Sequence, residues 1–127
     1  MQTLLYVGLG GALGALARYL VGVQALRTFG SGWPYGTFAV NTAGGLLMGL
    51  LAGVLAHRGG LDQERWRLLL GVGVLGGFTT FSAFSLELAL MLEKRAFTSA
   101  AVYALASVTL STLALFAGLL VARRVFA

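Results

Sequence analysis

Cysteine is absent from the 127 residues, which excludes disulfides and thiolate metal sites and leaves the compartment undecided. Charge is almost as scarce. Only 10% of the residues are charged, with four acids against nine lysines and arginines. Proline and histidine occur once each. No acid, base and nucleophile cluster on any one segment, and no glycine-rich phosphate cradle is present, so an enzyme or a nucleotide-driven pump lacks its chemistry. The opening Met1-Gln2-Thr3 carries no basic region of the kind that precedes a cleaved signal, so the first apolar stretch is expected to be retained.

What fills the chain is apolar: 58% of it is hydrophobic, the composition of an integral membrane protein. Four apolar stretches, about residues 4–26, 35–56, 66–92 and 99–122, take up most of the length. Each is long enough to cross a hydrocarbon core ~30 Å thick. The expected fold is an all-α membrane protein, one four-span domain over residues 1–127. A net charge of +5 would suggest nucleic acid in a soluble chain. Here the basic residues mostly cap spans, so membrane lipid headgroups are the expected partner and nucleic acid is not.

The third stretch is the longest, and as one helix it would run to about 40 Å. Either it tilts and protrudes or it is interrupted. Gly76-Gly77-Phe78-Thr79-Thr80 marks the expected break, since glycine is a poor helix former and threonine hydroxyls compete for backbone partners. A break at membrane depth frees carbonyls and amides that lipid cannot satisfy, so the freed groups must face protein, water or an ion. The plainer alternative is that the small residues let another helix approach closely.

Polar residues recur at helical spacing on the other spans. Gly10, Gly14, Arg18 and Gly22 form one four-residue stripe, and Asn41, Gly45, Gly49 and Gly53 a second, continued by His57. Arg18 within a span either snorkels to a headgroup or has a role inside the assembly. Asn41 either bridges a neighbouring helix or offers its NH₂ to an anion. Beyond the break, Phe81 and Phe84 share a helix face; they are either core packing or two electropositive ring edges for a small anion. Glu87 is a functional carboxylate or a partner for Arg18. Ser99, Tyr103, Ser107 and Ser111 make a rail of hydroxyls, which either bond back to their own helix or face something that needs donors. Residues 58–67 read as a short exposed connection.

One side of a four-span topology carries Arg58, Arg65, Arg67, Arg123 and Arg124, the other Arg27, Lys94 and Arg95. Five against three is a weak bias, so both orientations can insert. Four helices are too few to enclose a comfortable pore, which points to an oligomer.

In Gly36 to Asn41, in Gly76 to Ser85, in the in-span Arg18 and in the Tyr103, Ser107, Ser111 rail, the chain resembles the Fluc family of small bacterial fluoride channels over nearly its whole length. The resemblance implies an antiparallel homodimer in the inner membrane with two narrow pores, each lined by both subunits. It implies that Phe81, Phe84 and Asn41 line the pore and that Tyr103, Ser107 and Ser111 form a polar track; Arg18, Thr80, Ser82 and Glu87 are candidate supporting residues beside them. It further implies a structural sodium ion held by the backbone carbonyls of Gly76 and Thr79. Ala83 stands where the family often has threonine, and the rail stops at Leu115; both are departures. A strongly hydrated anion such as fluoride needs replacement donors, and Ser, Thr, Tyr and Asn are donors. The alternative is a small dual-topology, proton-coupled multidrug exporter, which needs an embedded acid; span one has none, and only Glu87 keeps the idea open. A scaffolding membrane subunit would explain the glycines but not the hydroxyls.

Overall fold

The computed structural model of the protein describes residues 1–58, 60 and 62–126. Positions 59 and 61 of the expected connection lie outside the described residues. Every described element is helical. Helix α1 (Gln2–Phe29) is followed by Gly30, whose left-handed φ of 79° lets its N–H reach the Leu26 carbonyl and end the helix. Helix α2 (Tyr35–Arg58) starts directly after Pro34. The third span is built in pieces: α3 (Gln63–Trp66), a π-helical segment (Arg67–Leu75), α4 (Gly76–Phe78) and α5 (Phe81–Glu93). A tight turn, with Arg95 at φ 59°, leads into α6 (Phe97–Phe126). Four helical units, Gln2–Phe29, Tyr35–Arg58, Gln63–Glu93 and Phe97–Val125, are long and apolar enough to cross a membrane.

Each helix continues a few residues past its apolar stretch. Helical hydrogen bonding persists into polar flanks such as Thr28 and Lys94, whereas hydropathy stops at the first charge. The third span is interrupted at Thr79 and Thr80, which are both extended (φ −89°, ψ 158° and φ −151°, ψ 124°), near the middle of the Gln63–Glu93 unit. The interruption is thus a change of backbone conformation and not only a packing device.

The glycine stripes set the packing. On α1, an added Cβ at Gly10 would lie 2.5 Å from the Leu69 carbonyl oxygen, and one at Gly14 would overlap the Val74 carbonyl. On α2, a Cβ at Gly45 would lie 2.6 Å from the Ser111 carbonyl, and one at Gly49 would overlap that of Leu115. Backbones therefore touch backbones, α1 against the π-helical segment and α2 against α6, as small residues permit in membranes. Gly22 is different: its Cβ would meet nothing, although it lies under Gly36 of α2. Few large side chains are enclosed. Leu4, Leu9, Leu13, Leu20, Leu105, Leu113 and Leu120 all face outward, an apolar jacket suited to lipid.

Gly49→Ala is expected to lower stability by about 1–3 kcal/mol, because α2 and α6 must separate to admit the methyl group. Gly8→Ala, at a position where an added Cβ meets nothing, is the matched control and is expected to be neutral. Thermal midpoints of the two variants in one detergent decide it; equal midpoints would remove the close-contact role of the second stripe.

Candidate functional site

Breaking a helix inside apolar surroundings leaves backbone groups that must be partnered, and the partners here come from far along the chain. The Thr80 N–H would close a helical bond to Gly76. Instead it donates to Asn41 Oδ1 at 2.8 Å, while Asn41 Nδ2 donates to the Thr80 carbonyl at 3.0 Å. The amide of Asn41 thus pairs with Thr80 as a neighbouring strand would. From the other side, Arg18 Nε donates to the Gly77 carbonyl at 3.1 Å. Arg18 therefore completes the broken helix and does not pair with Glu87. A guanidinium is always charged and supplies fixed donors, so one carbonyl dipole in the interior is a favourable partner.

The two new helix ends are finished locally. The Thr79 hydroxyl and N–H both donate to the Leu75 carbonyl, at 2.8 and 3.0 Å. The Thr80 hydroxyl caps α5 by accepting the Ala83 N–H at 3.1 Å, and lies 3.3 Å from the Ser82 hydroxyl. The Thr80 hydroxyl is thereby spent on structure, and Ser82 sits exposed outside the cleft. The Thr79 methyl group packs where Gly44 leaves room for it.

A cleft of about 270 Å³ opens beside the break, lined by Asn41, Thr79, Thr80, Phe81, Phe84, Ser107, Val108 and Ser111. It brings together five of the six residues expected to line a pore. Phe84 is buried, whereas Phe81 is 79% exposed, with ring centroids 5.7 Å apart. The hydroxyls of Ser107 and Ser111 are buried and have no hydrogen-bond partner. They do not bond back to their own helix, the usual fate of such groups. The N-terminus of α5 lies at the same cleft and adds positive dipole there. Donors and positive potential converge on it; no carboxylate does.

Tyr103 is the sixth expected residue, and the structure places it elsewhere. It is fully buried, its ring 5.0 Å from Phe84 on one side and 5.1 Å from Trp33 on the other, and its hydroxyl donates to Glu87 Oε1 at 3.2 Å. It stands behind the cleft rather than on its wall: its ring packs against that of Phe84, which lines the cleft, one helical turn from Ser107. Beyond it lies a second cavity of about 420 Å³, whose lining includes Trp33, Thr37, Glu87, Lys94 and Ser99. The hydroxyl rail is thus divided: Ser99 in the outer cavity, Tyr103 between, Ser107 and Ser111 in the cleft. Trp33 was not among the expected residues. An aromatic directly before Pro34 was its one signal, and nothing in its spacing ties it to Tyr103.

As for a cation at the break, the residues fit. The Gly76 carbonyl has lost its helical donor to Asn41, and Thr79 is extended with its hydroxyl occupied, so only backbone oxygens are on offer. Hard oxygen dipoles suit an alkali cation, and one chain supplies two of them. Among the described residues no three His, Cys, Asp or Glu side chains gather into a metal site.

The family model described as CrcB-like protein, Camphor Resistance (CrcB), matches residues 5–119. The chain is 73% identical over 127 residues, all of both chains, to a protein of Phenylobacterium zucineum named fluoride-specific ion channel FluC. It is 72% identical over 126 residues to a protein of the same name from Caulobacter sp. strain K31, covering 99% of this chain and 98% of that one. A further protein so named, from Hyphomonas neptunium, is 54% identical over the full length of both.

Asn41→Ala is expected to strand the Thr80 N–H and carbonyl, at about 1–3 kcal/mol for each group left without a partner. Asn41→Asp keeps an acceptor for the Thr80 N–H, so exchange there slows relative to Asn41→Ala, although its carboxylate faces the Thr80 carbonyl with no donor to offer. Amide exchange at Thr80 reads this directly. Faster exchange in the order Ala, Asp, wild type is the expected result; identical exchange in all three would remove the splint.

Proposed function

The chain belongs to the CrcB-like family, and from that membership we propose that it is a fluoride-selective channel through which cytoplasmic fluoride leaves passively across the bacterial inner membrane. The observation that carries this reading is the pair of buried, unpartnered hydroxyls of Ser107 and Ser111 on a cleft shared with Asn41, Phe81 and Phe84. A stripped fluoride ion needs donors that are not already engaged. The second Nδ2–H of Asn41, the two hydroxyls and the electropositive ring edges answer that need in one place. Protonated fluoride crosses membranes and ionises in a more alkaline cytoplasm. A passive anion path lets the membrane potential drive it out, and no energy-coupling group is required.

A single chain gives the cleft one wall. Phe81, at 79% exposure beside the break, is where a second copy would close it. With basic residues split five to three, that copy enters antiparallel, making a dual-topology homodimer with two pores. Two broken helices then meet at a two-fold axis. The carbonyls of Gly76 and Thr79 from each copy supply four oxygens to a structural sodium ion, whose charge would also favour an anion nearby.

Proteoliposomes loaded with fluoride and opened by a potassium shunt are expected to release it to an external electrode, with no matching chloride release. Ser107→Ala with Ser111→Ala is expected to reduce the flux at least tenfold, the cost of about 1.4 kcal/mol or more for desolvating an anion without those donors. Phe84→Ile is expected to do the same while keeping apolar bulk. Wild-type flux in both variants, or equal chloride release, would refute the assignment.

For the assembly, single cysteines placed at exposed sites such as Gly32 or Asp62 in this cysteine-free chain are expected to label from both faces of the membrane. The dimer mass is expected to weaken when sodium is exchanged for N-methylglucamine. Labelling from one face only would exclude the antiparallel arrangement, and a dimer indifferent to sodium would exclude the ion.

A further inference from the structure

A third cavity, of about 500 Å³, lies at the opposite end of the bundle from the outer chamber. Its apolar length comes from Leu51, Ala52 and Ala56 of α2 and from Gly71 of the π-helical segment, and Gln63 and Arg67 stand at its end. The groove has a structural cause. Gly71 is buried and has no side chain to fill the space, the first atom an added Cβ would meet being Leu51 Cδ2 at 3.4 Å. Alanines at 52 and 56 keep the facing side low. The wider turn of the π-helical segment from Arg67 to Leu75 changes the register of side chains beside it.

Along its length the groove is apolar; at one end stands the guanidinium of Arg67, paired with Glu64. That end coincides with the last turn of α2, where His57 and Arg58 mark the edge of the apolar stretch. Arg67 gives its Nε and one Nη to Glu64, which leaves the other Nη group unspent. Its side chain is 50% exposed, so those donors are open to a ligand. Guanidinium matches phosphate in geometry as well as charge. From Ala56 to Leu51 and on toward Met48, the groove descends about 12 Å below that level. A headgroup phosphate at the polar end and one acyl chain along the groove satisfy both halves.

We propose that this groove is a binding site for an anionic phospholipid of the surrounding membrane, with its phosphate on Arg67 and an acyl chain over Gly71. The site is independent of the fluoride cleft, shares no residue with it, and stands whether or not that cleft conducts.

Native mass spectrometry of the protein released from vesicles of phosphatidylcholine and phosphatidylglycerol tests it. Wild type is expected to retain phosphatidylglycerol about fivefold in preference to phosphatidylcholine, the worth of one cation near a headgroup. Arg67→Gln is expected to abolish that preference while keeping total lipid retained. Gly71→Leu is expected to lower retention of both lipids, because the side chain fills the groove. Glu64→Gln is expected to raise the preference by freeing Arg67, which a merely structural Arg67 would not do. Equal retention of the two lipids by wild type, or variants indistinguishable from it, overturns the proposal. So does loss of dimer mass in Gly71→Leu with lipid retention unchanged, since a second copy would then be the occupant.

Discussion

A helix interrupted in apolar surroundings must find a partner for every backbone group the interruption frees, and much of this fold answers that requirement. Each unmet amide or carbonyl in such surroundings costs several kcal/mol. The third span is broken at Thr79 and Thr80, and α1 and α2 both contribute a polar side chain to the breach. Arg18 reaches the Gly77 carbonyl, and Asn41 takes both backbone groups of Thr80. The glycine stripes serve the same end. Without side chains at Gly10, Gly14 and Gly77, α1 lies close enough to the third span for Arg18 to reach its target.

The break also separates two kinds of electrostatic surface. Upstream, the Gly76 carbonyl of α4 has lost its helical donor to Asn41, while that of Gly77 is taken by Arg18. Downstream, α5 begins with amides and a capped N-terminus facing the cleft, whose dipole is positive there. One local change of conformation therefore sets backbone carbonyls on one side and backbone amides on the other, within a few residues. Around the cleft, donors already engaged and donors without a partner are sorted cleanly. Thr79, Thr80 and Tyr103 spend their hydroxyls on Leu75, Ala83 and Glu87, whereas Ser107 and Ser111 spend theirs on nothing.

Phe84 and Tyr103 illustrate how aromatic packing divides the molecule. Their rings, with Trp33, form a file between the outer cavity and the cleft. Glu87 faces the outer cavity, and its bond from Tyr103 keeps that carboxylate away from the donors around Ser107. The acid and the unpartnered serine hydroxyls are therefore kept apart by one buried ring.

Four spans, the place of the break and the faces of both glycine stripes were legible in the sequence, because each depends on hydropathy and periodicity over neighbouring residues. Spacing every fourth residue puts Asn41 with Gly45 and Gly49, and Ser107 with Ser111, whatever those faces meet. What they meet was decided only in three dimensions. Asn41 and Thr80 are 39 residues apart, Arg18 and Gly77 59, and no local pattern selects those pairs over Arg18 with Glu87. Tyr103 shares its register with Ser107, yet Tyr103 packs against the Phe84 ring while Ser107 lines the cleft. Periodicity fixes the direction in which a side chain leaves its helix; the neighbouring helix fixes whether that direction ends in a partner, a ring or an open donor.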